Sequence, residues 1–134
     1  VFISTAHPLA TKSIVEIEDL DDYPCLAFEQ GEYNSFYFSE EILSTRIFKK
    51  KISVSDRATL FNLLIGLNGY TISSGILNSD LNGEQITSVR LNTDERMTIG
   101  YITKENTRLS RLAETYIDKL KRIIADFGYP LLED

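Results

Sequence analysis

The stretch Lys51–Ile76, KISVSDRATLFNLLIGLNGYTISSGI, decides the fold class of this chain. Lys51, Ile52, Ser53 and Val54 alternate polar and apolar, the period of a short strand with one buried and one wet face. Ser55 and Asp56 end it, and either can accept a hydrogen bond from the unpaired amides of a first helical turn. The run Arg57–Leu67 that follows is interrupted only by Thr59 and Asn62 among its apolar positions, which predicts an interior helix covered on most sides. Asn68-Gly69 supplies the positive-φ position that commonly closes a helix, and Tyr70-Thr71-Ile72 restarts extended structure before Ser73-Ser74-Gly75 breaks it. Strand, helix and strand with such short connections form a β-α-β unit with parallel strands. The fold class is therefore α/β.

Working outward, Cys25-Leu26-Ala27-Phe28 is a second short apolar strand, set up by the turn Asp21-Asp22-Tyr23-Pro24. The polar run Glu29–Ser35 leads from it toward a helix over about Phe36–Arg46, capped by Asn34 or Ser35 and striped by Phe38, Ile42 and Leu43. Glu84–Leu91 and Arg96–Lys104 alternate as strands do, on either side of an Asn92-Thr93-Asp94 turn. Leu109, Leu112, Tyr116, Leu120, Ile123, Ile124 and Phe127 recur at helical spacing, with Thr107 as start and Gly128 as stop, and Tyr129–Asp134 reads as a tail. Val1-Phe2-Ile3-Ser4 is a strand with nothing before it, as though the chain were cut from something longer.

Composition narrows the function classes. A chain of 134 residues with 43% hydrophobic and 25% charged residues is one globular domain or part of one. Twenty acidic residues against fourteen basic ones give a net charge of -6. That sign repels a phosphate backbone, and Lys49-Lys50-Lys51 is too short to reverse it, so the piece does not bind nucleic acid by itself. The single cysteine, Cys25, cannot form an internal disulfide and favours a reducing, cytoplasmic setting. No apolar run approaches the roughly 20 residues that span a bilayer, and no signal peptide precedes Val1, so no membrane partner is expected.

In an open parallel sheet, ligands bind beyond the carboxyl ends of the strands, where helix N-termini present unpaired amides. Three loops qualify: Glu29–Ser35, Ser55–Arg57 and Ser73–Gly75. Together they offer hydroxyls, a side-chain amide, a guanidinium and two helix N-termini, a set suited to a small polar or carboxylate-bearing molecule. Glu29, Glu32 and Asp56 add negative charge, which a zwitterion would meet on both signs. The plainer reading makes Ser55 and Ser35 helix caps only, Gln30 and Tyr33 loop surface, and Arg57 the partner of a nearby acid. Catalytic groups are sparse. His7, the sole histidine, precedes Pro8 and reads as a turn residue; Cys25 reads as a small buried hydrophobe; Glu40 and Glu41, about 100° apart on a helix, point in different directions. No metal, P-loop or dinucleotide motif is present, so no cofactor is expected.

The order of these features resembles the effector-binding domain of LysR-type transcriptional regulators, a bacterial family. His7-Pro8-Leu9-Ala10 matches a frequent turn after its first crossover strand, and Ile17–Pro24 its approach to the next strand. Leu64–Ile72 looks like its helix-to-strand segment, and Arg96–Leu109 like the return strand before its last helix. The resemblance implies a three-layer, type 2 periplasmic-binding-protein-like subdomain with parallel β-α-β units plus a C-terminal helix. It divides the chain into a second subdomain with its crossover strand (1–98), a return strand and terminal helix of the first subdomain (99–128), and a tail (129–134). It implies effector contacts from Gln30, Gly31, Glu32, Tyr33, Asn34 and Ser35, from Ser55, Asp56 and Arg57, and from Ser73 and Ser74. The sequence departs from the family at Ser74-Gly75, where a proline often follows the strand. The resemblance implies a ligand-sensing regulator that is expected to form a homodimer and to meet DNA only through a winged helix-turn-helix domain missing from this chain. Three alternatives stay open: a solute-binding protein of the same architecture, a small α/β enzyme using His7 or Cys25, and a dimerisation module.

Overall fold

The computed structural model describes residues 1–29 and 48–131, and the expected helix over Phe36–Arg46 lies outside them. The chain divides into two compact units, Val1–Met97 and Thr98–Asp134.

In the first unit, five strands form one sheet: β1 (Phe2–Ser4), β3 (Cys25–Phe28), β4 (Lys51–Val54), β5 (Tyr70–Thr71) and β6 (Ile86–Ser88), in the order β4-β3-β5-β1-β6. β3 runs parallel to β4, with Phe28 opposite Val54, and parallel to β5, with Cys25 opposite Tyr70. β1 is antiparallel to both β5 and β6. The helix α1 (Arg57–Gly66) connects β4 to β5, which are parallel as the sequence predicts, but β3 has inserted between them. The sheet is thus mixed, and the architecture is α/β.

Side chains alternate through this sheet into two apolar clusters. Phe2, Leu26, Val54 and Ile86 pack with Leu60 and Leu64 of α1. Val1, Ile3, Cys25 and Tyr70 pack with Leu9, Val15, Leu20 and Val89. Coverage of both faces is why β1 and β3 read as unbroken apolar runs instead of alternating ones. Against the second cluster lie two 3-10 turns, Pro8–Thr11 and Glu18–Leu20, and a two-stranded parallel ribbon of β2 (Ile14–Val15) and β7 (Arg90–Leu91). Lys12 and Asp19 pair across that region at 2.8 Å.

α1 departs from the expected interior helix. It buries Leu60 and Leu64, while Phe61, Leu63 and Ile65 are half-buried and Leu67 is exposed. An apolar run with no polar stripe gives a helix no preferred face, so sequence alone overstates how much of it is covered. Its carboxyl end closes as predicted but with a division of labour. Asn68 takes the left-handed conformation, φ 50, and the Gly69 amide donates back to the Leu64 carbonyl at 3.0 Å. Gly69 is required for a different reason: a Cβ there would sit 3.0 Å from the Pro24 carbonyl oxygen and 3.2 Å from Leu26 Cδ1.

Two strand expectations are corrected. Glu84–Leu91 splits at Val89, because β6 pairs with β1 whereas β7 changes partner to β2. The short helix α2 (Ser79–Asn82) precedes this pair. Arg96–Lys104 forms no strand; alternation gives a capacity for pairing, and among the described residues no second backbone lies in register with it.

The second unit contains α3 (Arg111–Asp126). It starts at Ser110, whose Oγ accepts from the Ala113 amide at 3.2 Å, and not at Thr107. It ends at Gly128, φ 80, as the sequence predicts. Leu112, Tyr116 and Ile123 of its apolar stripe are exposed.

Candidate functional site

Parallel pairing puts the carboxyl ends of β4, β3 and β5 on one edge of the sheet. Three of the loops marked in the sequence leave from that edge. At its centre, the Glu29 amide donates to the Val54 carbonyl at 2.9 Å, extending the β3–β4 ladder one step into the loops. Beyond Glu29, the candidate residues Gln30, Gly31, Glu32, Tyr33, Asn34 and Ser35 lie outside the described residues.

Ser55, Asp56 and Arg57 follow β4 directly and are all exposed. Of the two cap candidates, Asp56 is the one used. Its backbone is extended, its Oδ1 accepts from the Thr59 amide at 2.8 Å, and its carbonyl receives the Leu60 amide at 3.1 Å. These bonds from Thr59, backbone first and hydroxyl second, hold the Asp56 carboxyl below the usual carboxylate value, with the Ala58 amide adding in the same direction. The carboxylate is therefore committed to the helix start, and its charge offsets the attraction that α1's amino end would have for a second anion. Ser55 is left with its hydroxyl uncommitted to the cap.

Ser73 and Ser74 follow β5 and are half-buried. The Ser74 Oγ accepts from the Ile76 amide at 3.3 Å, and Gly75 takes φ 83, so the chain turns sharply there without the proline common in this position. The structure brings Ser55–Arg57 and Ser73–Ser74 to the same sheet edge, on either side of the end of β3.

The same edge carries a strand end that sequence reasoning missed. Phe2 lies opposite Thr71 on one side and Ser88 on the other, so β6 ends level with β5 and delivers exposed Ser88 there. No local motif marks Ser88. Only the antiparallel placement of β1 between β5 and β6 reveals it, and that pairing spans more than eighty residues of sequence.

The two suspected nucleophile or base residues sit elsewhere. His7 is buried at the opposite edge, where its Nδ1 accepts from the Leu9 amide at 3.0 Å and caps the Pro8–Thr11 turn. Cys25 is buried in β3. Among the described residues, no three His, Cys, Asp or Glu side chains gather as a metal would require.

The sequence that folds into this sheet is matched by a family model. The model for the LysR substrate binding domain covers residues 1–124. The chain belongs to that family. It is a ligand-sensing regulatory domain of the LysR type, and the α/β sheet described above is the corresponding periplasmic-binding-protein-like architecture. A comparison with curated proteins finds no match. In this LysR-family domain, no helix among the described residues is long and apolar enough to cross a membrane.

Proposed function

We propose that this domain captures a small polar metabolite, carboxylate-bearing or zwitterionic, at the carboxyl edge of β4, β3 and β5. The observation that carries the reading is the shared direction of those three strands, which brings Ser55–Arg57, Glu29 and Ser73–Ser74 to one edge of the sheet. The hydroxyls of Ser55, Ser73 and Ser74 can each donate to a carboxylate or accept from an ammonium group. Arg57 adds a planar donor suited to a carboxylate, and Glu32 or Glu29 would meet the positive end of a zwitterion. Gln30, Gly31, Tyr33, Asn34 and Ser35 complete the set.

Binding makes and breaks no covalent bond. An effector that prefers a closed cleft over an open one shifts the population of domain arrangements, and with it DNA binding by a helix-turn-helix domain outside these residues. The division into a second subdomain over 1–98 and a return segment over 99–128 belongs to this proposal, as do a cytoplasmic setting and a homodimer. The exposed apolar side chains Leu112, Tyr116 and Ile123 favour burial against another surface. The net charge of -6 supports leaving DNA contact to another domain.

A thermal-shift screen with amino acids and small organic acids tests the reading. A true effector at one hundred times its Kd stabilises the fold by about 2.7 kcal/mol. Ser55→Ala, Ser73→Ala and Gln30→Ala should each reduce the shift without altering the ligand-free melting temperature. Stabilisation that survives all three substitutions would place the effector elsewhere.

A further inference from the structure

Both ring nitrogens of His7, a residue the candidate site does not use, are engaged. The residue is 2% exposed. Its Nδ1 accepts the Leu9 amide at 3.0 Å, and its Nε2 lies 3.1 Å from the Asn68 carbonyl oxygen. An amide only donates and a carbonyl only accepts, so these two contacts together require the neutral imidazole with its proton on Nε2. The Tyr23 ring lies over it with centroids 4.3 Å apart. The His7 amide also donates to Ser4, the last residue of β1, at 2.9 Å. One residue, by its backbone and its ring, thus ties the exit of β1 to the turn that starts β5.

Asn68, whose carbonyl receives the His7 proton, holds the left-handed conformation that ends α1, and β5 begins two residues later. β5 in turn carries Ser73 and Ser74 to the far edge. Adding a proton to Nδ1 would set two donors against each other at the Leu9 contact and leave a cation among apolar side chains. The ring must then leave its place.

We propose that His7 is a proton-operated latch: neutral, it fastens the α1–β5 turn to the exit of β1, and protonated, it releases the amino end of the strand that supports the Ser73–Ser74 loop. Burial pushes the imidazole below its ordinary value of 6.5, outweighing the opposite pull of the Asn68 carbonyl. Among the described residues, the titratable side chain in ring contact with His7 is Tyr23, from the turn before β3. The Pro8–Thr11 turn presents the Leu9 amide, and Lys12, which follows it, is bound to Asp19. β1 presents Ser4, whose hydroxyl accepts from the Ala6 amide at 3.2 Å. Because the folded value is depressed, the latch contributes in full above pH 6.5 and is lost as pH falls through the folded value.

His7 is the only histidine, so NMR of the whole chain reads its imidazole without ambiguity. Between about pH 7.5 and about pH 5, its Cε1–H resonance should titrate with a midpoint below 6.5, and the amides of Leu9, Gly69 and Tyr70 should shift with that midpoint. His7→Asn keeps an acceptor for the Leu9 amide but takes up no proton, so in that variant the same amides should stop titrating. An imidazole midpoint at or above 6.5, or amides that do not follow it, would overturn the proposal. If His7→Asn fails to fold, the titration of the parent chain decides alone. The outcome is independent of whether any effector binds.

Discussion

Two alanine substitutions three residues apart should change stability in opposite directions. Gly66 is the last residue of α1; it is exposed, and a Cβ added there meets nothing within 4 Å. Alanine in place of glycine in a helix gains roughly 0.5–1 kcal/mol, because the unfolded chain has less freedom to lose. Gly69 offers the same entropic gain of about 0.4–1 kcal/mol, but the structure opposes it. Its Cβ would stand 3.0 Å from the Pro24 carbonyl oxygen, tighter than nearly all contacts of that kind, and that oxygen is held by accepting the Tyr70 amide at 3.0 Å. The second contact, Leu26 at 3.2 Å, is a fully buried side chain that would have to shift into the packed core. Overpacking of this kind costs about 1–3 kcal/mol, so Gly69→Ala should be net destabilising by about 1–2 kcal/mol. Urea unfolding followed by circular dichroism measures both variants, since the chain has no tryptophan to report by fluorescence. With a slope of about 1–3 kcal/mol per molar urea, the two midpoints should bracket that of the parent. A Gly69→Ala midpoint at or above the parent's would refute the packing assigned to the start of β5.

Asp56→Asn retains a capping acceptor but removes a titrating group. The depressed folded value means that its contribution is present above the ordinary 3.8 and lost as pH falls through the folded value; helix content measured from about pH 5 to about pH 2 should therefore decline less steeply in the variant. Ser110→Ala should cost α3 about 1 kcal/mol, visible as lost helical signal, whereas Ser110→Asp should restore it; equal signal in all three would deny the cap. Cys25, 4% exposed in β3, should react with a thiol reagent only at the rate at which the chain opens, and immediate labelling under native conditions would contradict its burial.

How much of this was legible from residues depended on the range of the interaction involved. Cys25–Phe28, Lys51–Val54 and the start of α1 at Arg57 were readable because proline, alternation and a capping acid act within four residues. The closing of α1 at Asn68 and of α3 at Gly128 was readable for the same reason. What failed was set by distant partners. Arg96–Lys104 has the pattern of a strand without a ladder, and α1 is as apolar on its outer side as on its inner one. For the candidate site, Ser55 and Ser73 could be chosen because they follow strands, yet Ser88 required knowing that β1 runs backwards between β5 and β6. His7 was legible as a turn residue, since Pro8 follows it, but not as a bond to Asn68 across sixty-one positions.

The two edges of the sheet are built to different physical rules, and the difference bears on how a sensor of this kind can vary its ligand. At the amino edge of the parallel strands, the Cys25 amide donates to Lys50 at 2.8 Å, the Tyr70 amide to Pro24 at 3.0 Å, and His7 to Asn68, with Gly69 packed against Pro24 and Leu26. Each group there has a partner far away in sequence, so one substitution disturbs two elements. At the carboxyl edge the backbone also reaches far, Glu29 to Val54 at 2.9 Å, but the loop side chains bond locally: Asp56 with Thr59, Ser74 with Ile76. A change at exposed Ser55 costs no buried area, and one at half-buried Ser73 costs little. On the site proposed above, ligand preference can drift through the loop side chains while the backbone ladder and the opposite edge keep the strands in register, because changing such a side chain leaves the ladder bonds in place.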